Sequence, residues 1–137
     1  MTYLLDVNVL VAWGWADHAD HYRAARWIGE MIHRADTTLL TSAIPELGFI
    51  RVSLQRAGGR LSPSEATRVL HGLIRTLGTS HRFLADDLSS TLGLPEWCLG
   101  ASRSTDAHLV ALANDHNARL ATLDTGIPGA YLIPQAS

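Results

Sequence analysis

Short apolar runs alternate with amphipathic segments along this chain. The first run, Tyr3 to Leu5, ends at Asp6 and predicts a buried strand that turns into a helix over the apolar segment Val9 to Trp15. From Asp20 to Arg34 the apolar and small residues recur at helical spacing, which predicts a surface helix. Thr37 to Thr41 has an apolar centre and predicts a second buried strand.

Capping signals divide the rest of the chain into further elements. Ser62, Pro63 and Glu65 provide an N-cap, a proline at the first helical position and the glutamate of a capping box. Ser42 and Thr105 are candidate caps of two other helices. The predicted helices run from Ser42 to about Arg56, from Ser62 to about Leu77 and from Thr105 to Asn117, and the predicted strands are Arg82 to Ala85, Arg119 to Leu123 and Tyr131 to Ile133.

The alternation of strands and helices continues without an internal repeat, a low-complexity tract or a long linker. This order favours a short central parallel sheet flanked by helices, which is the α/β class. The chain has 137 residues, 47% of them apolar, enough for one core and too few for two ordinary domains. We therefore expect residues 1–137 to form a single domain.

Composition and charge limit the cellular location and the binding partners that we expect. The apolar runs are shorter than the roughly 20 residues that a membrane span requires, and the N-terminus lacks the pattern of a secretory signal. Cys98 is the one cysteine, so no internal disulfide can form. We expect a cytoplasmic protein without membrane contact. The net charge of −2 argues against unspecific coating of nucleic acid, although every cation is an arginine and can grip phosphate locally.

Four acids stand where a predicted strand ends or a predicted helix begins: Asp6, Glu46, Asp106 and Asp124. Such positions converge at one edge of a parallel α/β sheet. Carboxylate oxygens are ligands that Mg²⁺ and Mn²⁺ prefer, and Mg²⁺ keeps several waters, so a few acids suffice. The set predicts a divalent metal site that hydrolyses phosphodiesters by metal-activated water. In the alternative reading, each acid separately caps a helix, starts a turn or is solvated.

The motifs around these acids resemble those of the PIN-domain family, in order and over nearly the whole chain. The motifs are residues 4–10, Glu46, residues 105–107 and residues 120–124. Within that family the chain looks most like toxins of the VapC type. The resemblance implies a PIN-like α/β fold and a Mg²⁺- or Mn²⁺-dependent endoribonuclease. It also implies a homodimer that is inactivated by a cognate VapB-type antitoxin.

Individual residues carry over from the resemblance by their place in these motifs. Asp6, Glu46, Asp106 and Asp124 match the four acids, which implies catalytic and metal-binding roles. Asn8 and Thr122 match polar positions that support the site. The family pattern is least regular around Glu46, because Pro45 directly precedes it and can rotate or shorten the helix.

Other polar residues have simpler interpretations. Asp86 and Asp87 are adjacent and point differently, so we expect them to cap the segment that follows. His18 and His21 lack a further ligand for zinc and are expected at the surface. His108 would point about 200 degrees away from Asp106 on a helix, which argues against a role as the catalytic base.

The arginines and tryptophans leave alternatives open. Arg103 can hold substrate phosphate or form a surface ion pair. Solvated helix positions are favoured for Arg51 and Arg56. Packing is favoured for Trp13 and Trp27, while Trp15 and Trp97 can either pack or contact a partner, and Cys98 has no evident activating neighbour.

The sequence therefore predicts a PIN-like endoribonuclease in which Asp6, Asp106 and Asp124 are the principal metal ligands and Glu46 completes the site. One rival is a catalytically silent scaffold of the same fold that binds RNA or protein. Another is a phosphoryl-accepting signalling domain, which normally needs a lysine near the phosphate, and this chain has none.

Overall fold

A computed structural model describes residues 1–136 and shows a parallel sheet with helices on both faces. Within those residues five strands form one sheet in the order β3-β2-β1-β4-β5, and every neighbouring pair is parallel. The strands are β1 (Thr2–Leu5), β2 (Thr38–Ser42), β3 (His81–Leu84), β4 (Arg119–Thr122) and β5 (Tyr131–Leu132). The helices are α1 (Val7–Gly14), α2 (His21–Met31), α3 (Ala43–Ala57), α4 (Pro63–Thr76) and α5 (Ser104–Asp115). The predicted α/β class is confirmed.

The central strand β1 sets the arrangement of the two cores. Leu4 is paired in register with Leu40 of β2 on one side and with Leu120 of β4 on the other. Because side chains alternate along a strand, Leu4 packs against α5 on one face, whereas Tyr3 and Leu5 pack against the other helices. Both faces of the sheet are covered, as is usual for parallel sheets.

The capping box predicted for α4 is present. The Ser62 hydroxyl accepts a hydrogen bond from the backbone N–H of Glu65 at 3.1 Å, and the Glu65 carboxylate accepts one from the backbone N–H of Ser62 at 2.9 Å. Pro63 occupies the first turn, where it costs no helical hydrogen bond. The start of α4 was therefore readable from local sequence.

Of the two other predicted caps, Ser42 has the predicted position without the capping hydrogen bond, and Thr105 is wrong. Ser42 does precede α3, but its hydroxyl donates to the carbonyl of Leu84 at 2.6 Å and thereby ties β2 to β3. Thr105 lies inside α5, which begins at Ser104 directly after a 3₁₀ turn at Ala101–Arg103. In both places a contact or a turn that the local sequence does not reveal replaces the expected cap. The helix predicted to reach Arg34 also ends earlier, at Met31.

A glycine allows α3 to approach the start of α1. A Cβ atom at Gly48 would lie 2.6 Å from Cγ2 of Val7, which is closer than carbon atoms pack. Val7 follows Asp6 in the chain, so this close approach also brings α3 beside the carboxyl end of β1. Among residues 1–136 no helix is long and apolar enough to cross a membrane.

Candidate active site

Asp6 is a buried carboxylate at the end of the central strand. Its side chain is 4% exposed. Oδ1 accepts a hydrogen bond from the backbone N–H of Val7 at 2.7 Å, and Oδ2 accepts one from the hydroxyl of Thr122 at 2.8 Å. The first of these bonds caps α1. Asp6 is thus fixed from both sides at the carboxyl end of the sheet.

A polar network joins Asp6 to the end of β4. The Thr122 hydroxyl donates to Asp6 and accepts from the side-chain amide of Asn8 at 3.1 Å and from the backbone N–H of Asp124 at 3.1 Å. The Asn8 carbonyl oxygen in turn accepts from the backbone N–H of Leu123 at 3.1 Å. Asn8 and Thr122 are the two residues predicted to support the site. Thr122 bonds Asp6 directly, and Asn8 bonds Thr122 and the backbone of Leu123.

Asp106 and Asp124 belong to the same electrostatic neighbourhood as Asp6. Asp106 lies in the first turn of α5, and Asp124 follows β4. Burial raises the pKa of Asp6 to about 6, and the negative charges of Asp106 and Asp124 contribute to the rise, against the hydrogen bonds from Thr122 and Val7. Burial, followed by the charge of Asp124, also raises the pKa of Asp106. Three of the four predicted acids therefore repel one another at this edge.

Arg103 compensates part of this negative charge. Its Nη1 lies 3.9 Å from Oδ2 of Asp106, and its Nη2 donates to the carbonyl of Gly126 at 2.7 Å. The guanidinium also lies over the ring of Trp97, 5.7 Å from its centroid. Arg103 lowers the pKa of Asp106, against the larger effects of burial and Asp124. The acids remain incompletely neutralised.

Glu46 lies at the same edge of the sheet but makes different contacts. Its Oε2 accepts a hydrogen bond from the hydroxyl of Thr41 at 2.7 Å. The Thr41 oxygen lies 2.7 Å from Nε2 of His81, which must donate to it because the single hydroxyl proton is used. Burial lowers the pKa of His81, and the charge of Glu46 opposes that shift. The role of Glu46 as a metal ligand stays a prediction.

An open cavity of about 360 Å³ adjoins two of the aspartates. Its lining residues come from the junction between β1 and α1, from α1, α3 and α5, and from the segment between α1 and α2. They are Asp6, Val7, Asn8, Val11, His18, Arg51, Val52, Thr105 and Asp106. Sequence reasoning placed His18 at the surface and Arg51 in solvent, and it missed that both line the cavity with the acids. A signal existed for Arg51, because Gly48 inside a helix indicates close packing and the residue three positions on shares its face.

Contacts also bear on the predictions for Asp86, His108 and Trp27. The Asp86 carboxylate accepts from the backbone N–H of Leu88 at 3.2 Å, as expected of a cap, and lies 2.6 Å from Nε2 of His108. His108 thus pairs with Asp86 and not with the aspartates of the candidate site. Trp27 packs against the rings of Tyr3 and Tyr131, which confirms its core position.

The donor set fits a hard divalent cation that keeps part of its hydration shell. Carboxylate oxygens are the ligands Mg²⁺ and Mn²⁺ prefer. Within residues 1–136, however, no three His, Cys, Asp or Glu side chains are close enough together to form a ready protein cage. The arrangement suits a cation that keeps water among its ligands, rather than one enclosed by protein ligands.

Replacing Thr122 with valine is expected to destabilise the metal-free protein by about 2 kcal/mol, because the buried Asp6 carboxylate and two donors each lose a hydrogen-bond partner. Urea denaturation measures this change. Thr37→Val is the matched control, since Thr37 is also buried and its hydroxyl makes no hydrogen bond within the described residues. Equal stability of the two variants would contradict the network's role.

Comparisons with known proteins identify the family of this chain. The family model of the PIN domain matches residues 3–131. The chain belongs to the PIN domain family. Among the curated relatives of this PIN domain is Ribonuclease VapC38 of Mycobacterium tuberculosis strain H37Rv, 40% identical over 131 residues that cover 90% of this chain and 86% of the relative. Ribonuclease VapC39 of the same strain is 34% identical over 130 residues, covering 93% and 91%.

A solved structure with low sequence identity to this PIN domain has the same fold. It is VapBC2 from Rickettsia felis bound to a DNA fragment from the promoter, with a TM-score of 0.61, 15% identity and coverage of 96% of this chain and 97% of that one. The predicted resemblance to VapC-type PIN domains is therefore confirmed.

Proposed function

We propose that this PIN domain is a Mg²⁺- or Mn²⁺-dependent endoribonuclease and the toxin of a VapBC-type toxin–antitoxin pair. The observation that carries the proposal is the convergence of Asp6, Asp106 and Asp124, whose mutual repulsion helps to raise the pKa of Asp6 to about 6. Bringing these negative charges close together without a counter-ion destabilises the folded protein, and cation binding would offset that loss of stability. The relatives named ribonucleases support RNA as the substrate.

Asp6, Asp106 and Asp124 would hold the cation, and Glu46 would complete the set from the first turn of α3. When bound, a divalent ion activates water for attack on phosphorus and stabilises the developing negative charge. Asn8 and Thr122 keep the Asp6 carboxylate in position through their hydrogen bonds. Arg103, beside Asp106, is the proposed contact for a substrate phosphate.

The proposed reaction needs no protein nucleophile, and neither Cys98 nor His108 is placed to serve as one. The Cys98 thiol contacts the carbonyl of Gly100 at 3.9 Å, and Cys98 does not line the cavity. His108 is engaged with Asp86. Water is therefore the nucleophile in the proposed reaction.

The partners and the assembly are part of the same proposal. We propose a VapB-type antitoxin as the inhibitor, since the curated relatives carry VapC names. Residues 1–137 would act as one nuclease domain, assembled as a homodimer in the cytoplasm. A small open reading frame next to this gene, with a DNA-binding N-terminal region, would support the antitoxin.

Incubation of the purified protein with total RNA tests the function. Cleavage is expected with Mg²⁺ or Mn²⁺ and not with EDTA. Protein at a concentration equal to that of the RNA, with Mn²⁺ present, makes even slow turnover visible. If no fragment forms under those conditions, the silent RNA- or protein-binding scaffold replaces the enzyme.

A further inference from the structure

We propose that Arg51 and His18 form a phosphate-binding wall of the cavity, which holds the RNA backbone of a single-stranded substrate against the aspartates. The inference rests on the proposed function, because it concerns how the same site holds its substrate. "The wall" below means these two residues.

Both residues of the wall line the cavity that Asp6 and Asp106 also line. Arg51 projects from α3, and His18 lies in the segment between α1 and α2. The close approach of α3 to α1 at Gly48 brings the helix that carries Arg51 beside the carboxyl end of β1. A strand of RNA in the cavity would therefore contact the acids and the wall together.

Arg51 is available for a ligand. It is exposed, and within residues 1–136 its guanidinium makes no hydrogen bond and no ion pair. Two other arginines near this region already have protein partners, although Arg103 keeps its proposed phosphate contact. Arg103 contacts Asp106 and Gly126, and Arg56 contacts Asp17 at 3.1 Å and the ring of Trp15. Among the residues that line the cavity, Arg51 is the one with a permanent positive charge.

His18 is oriented as a hydrogen-bond donor. Its Nδ1 accepts from the backbone N–H of Asp20 at 3.0 Å, so in the neutral ring the proton is on Nε2. The segment that carries it is anchored to α3, because the indole N–H of Trp15 donates to the Ser53 hydroxyl at 3.0 Å. The ion pair between Arg56 and Asp17 anchors it a second time. The segment that carries His18 and the helix that carries Arg51 are thus joined by two contacts.

Electrostatics explains why such a wall is needed. RNA is a polyanion, the cavity contains aspartates, and the chain as a whole carries a net charge of −2. Bulk attraction cannot bring the backbone into the cavity, so local cations must do it. A guanidinium binds a phosphate through two parallel hydrogen bonds, and an imidazole N–H can add a third.

The test measures RNA binding apart from cleavage. A short labelled single-stranded RNA of mixed sequence is titrated in EDTA, and cleavage of the same RNA in Mn²⁺ gives kcat and KM, both at several KCl concentrations. Arg51→Gln is expected to raise Kd and KM by roughly tenfold, as for loss of a charge-assisted hydrogen bond, with kcat changed by less than about twofold. The slope of log Kd against log salt should fall by about 0.7, which corresponds to one phosphate contact on a single strand.

Matched variants separate the wall from general charge and from folding. Arg75→Gln removes the same charge from an exposed position in the last turn of α4 and should leave Kd and the salt slope unchanged. Arg51→Lys should recover the slope but only part of the affinity, because lysine lacks the two-point grip. His18→Asn keeps an acceptor for the Asp20 N–H and loses Nε2, and should weaken binding by about threefold.

The outcomes distinguish the wall from the proposed function. If the parent cleaves RNA but Arg51→Gln binds it with the parent's affinity and salt slope, the wall is wrong and the nuclease stands. If the parent neither binds nor cleaves the RNA, both are wrong. A reduced slope in Arg51→Gln alone, with Arg75→Gln like the parent, supports the wall.

Discussion

Asp6→Asn is expected to slow RNA cleavage by more than about a hundredfold, in either Mg²⁺ or Mn²⁺. Changes in residues that only support a metal ligand already cost 10- to 100-fold, and Asp6 is proposed as a ligand itself. Asparagine keeps the size of the side chain and an acceptor for the Val7 N–H, so the fold should persist. Initial rates on a labelled RNA measure the effect.

Asp87→Asn is the control for this variant. Asp87 is exposed, and the substitution removes the same charge away from the cavity. It should cleave at the parent's rate. If Asp6→Asn, purified in the same way, cleaves as fast as the parent, then the observed activity comes from a contaminating nuclease or from another site.

The second large effect is on the pH dependence of stability in EDTA. The pKa of Asp6 is raised to about 6 in the folded protein, above the ordinary value of 3.8 that applies when it is unfolded. Between these values the folded protein binds more protons, so the free energy of unfolding decreases as pH rises. A shift of this size corresponds to about 3 kcal/mol lost by neutral pH, and the raised pKa of Asp106 acts in the same direction.

The comparison of parent with Asp6→Asn isolates this contribution from the other titrating groups. Urea denaturation in EDTA should find the variant more stable than the parent near pH 7.5 by about 1 to 3 kcal/mol. The difference should shrink towards pH 4, where Asp6 is protonated in the parent. The gain stays below the full value because the asparagine amide cannot accept from the Thr122 hydroxyl as a carboxylate does. A difference that does not vary with pH would show that Asp6 has an ordinary pKa.

The fold and the placement of the three aspartates near one edge of the sheet were predictable from sequence for a simple reason. Apolar runs such as Tyr3 to Leu5 identify buried strands, and the residue after such a run lies at the carboxyl edge of a parallel sheet. Asp6 and Asp124 both follow a strand in this way, and Asp106 is within the first turn of a helix. Position along the chain was therefore enough to group them.

The cavity position of His18 and the real partner of Ser42 could not be found in the same way, and Gly48 gave only an indirect signal for Arg51. Arg51 and His18 reach the cavity only because α3 packs on α1 and because the segment after α1 is anchored to α3. The bond from Ser42 to Leu84 spans 42 positions. Contacts of this kind depend on packing between distant segments, which spacing along one sequence does not encode.

Glu46 shows the limit of positional reasoning even at a predicted site. The start of α3 at Ala43 brings Glu46 to the correct edge of the sheet, with Pro45 accommodated in the first turn. The hydroxyl of Thr41 then holds its carboxylate. The charge of Glu46 is not among the causes that raise the pKa of Asp6 or Asp106. Which partner prevails when a cation is bound depends on the free energy of coordination relative to that hydrogen bond.

Isothermal titration with Mn²⁺ tests the shared cation site most directly. The parent and Asp87→Asn should bind Mn²⁺ with the same affinity, while Asp6→Asn, Asp106→Asn and Asp124→Asn should each bind it at least about tenfold more weakly. If all three aspartate variants bind Mn²⁺ as tightly as the parent, these carboxylates do not share a cation, and the proposed nuclease site is wrong.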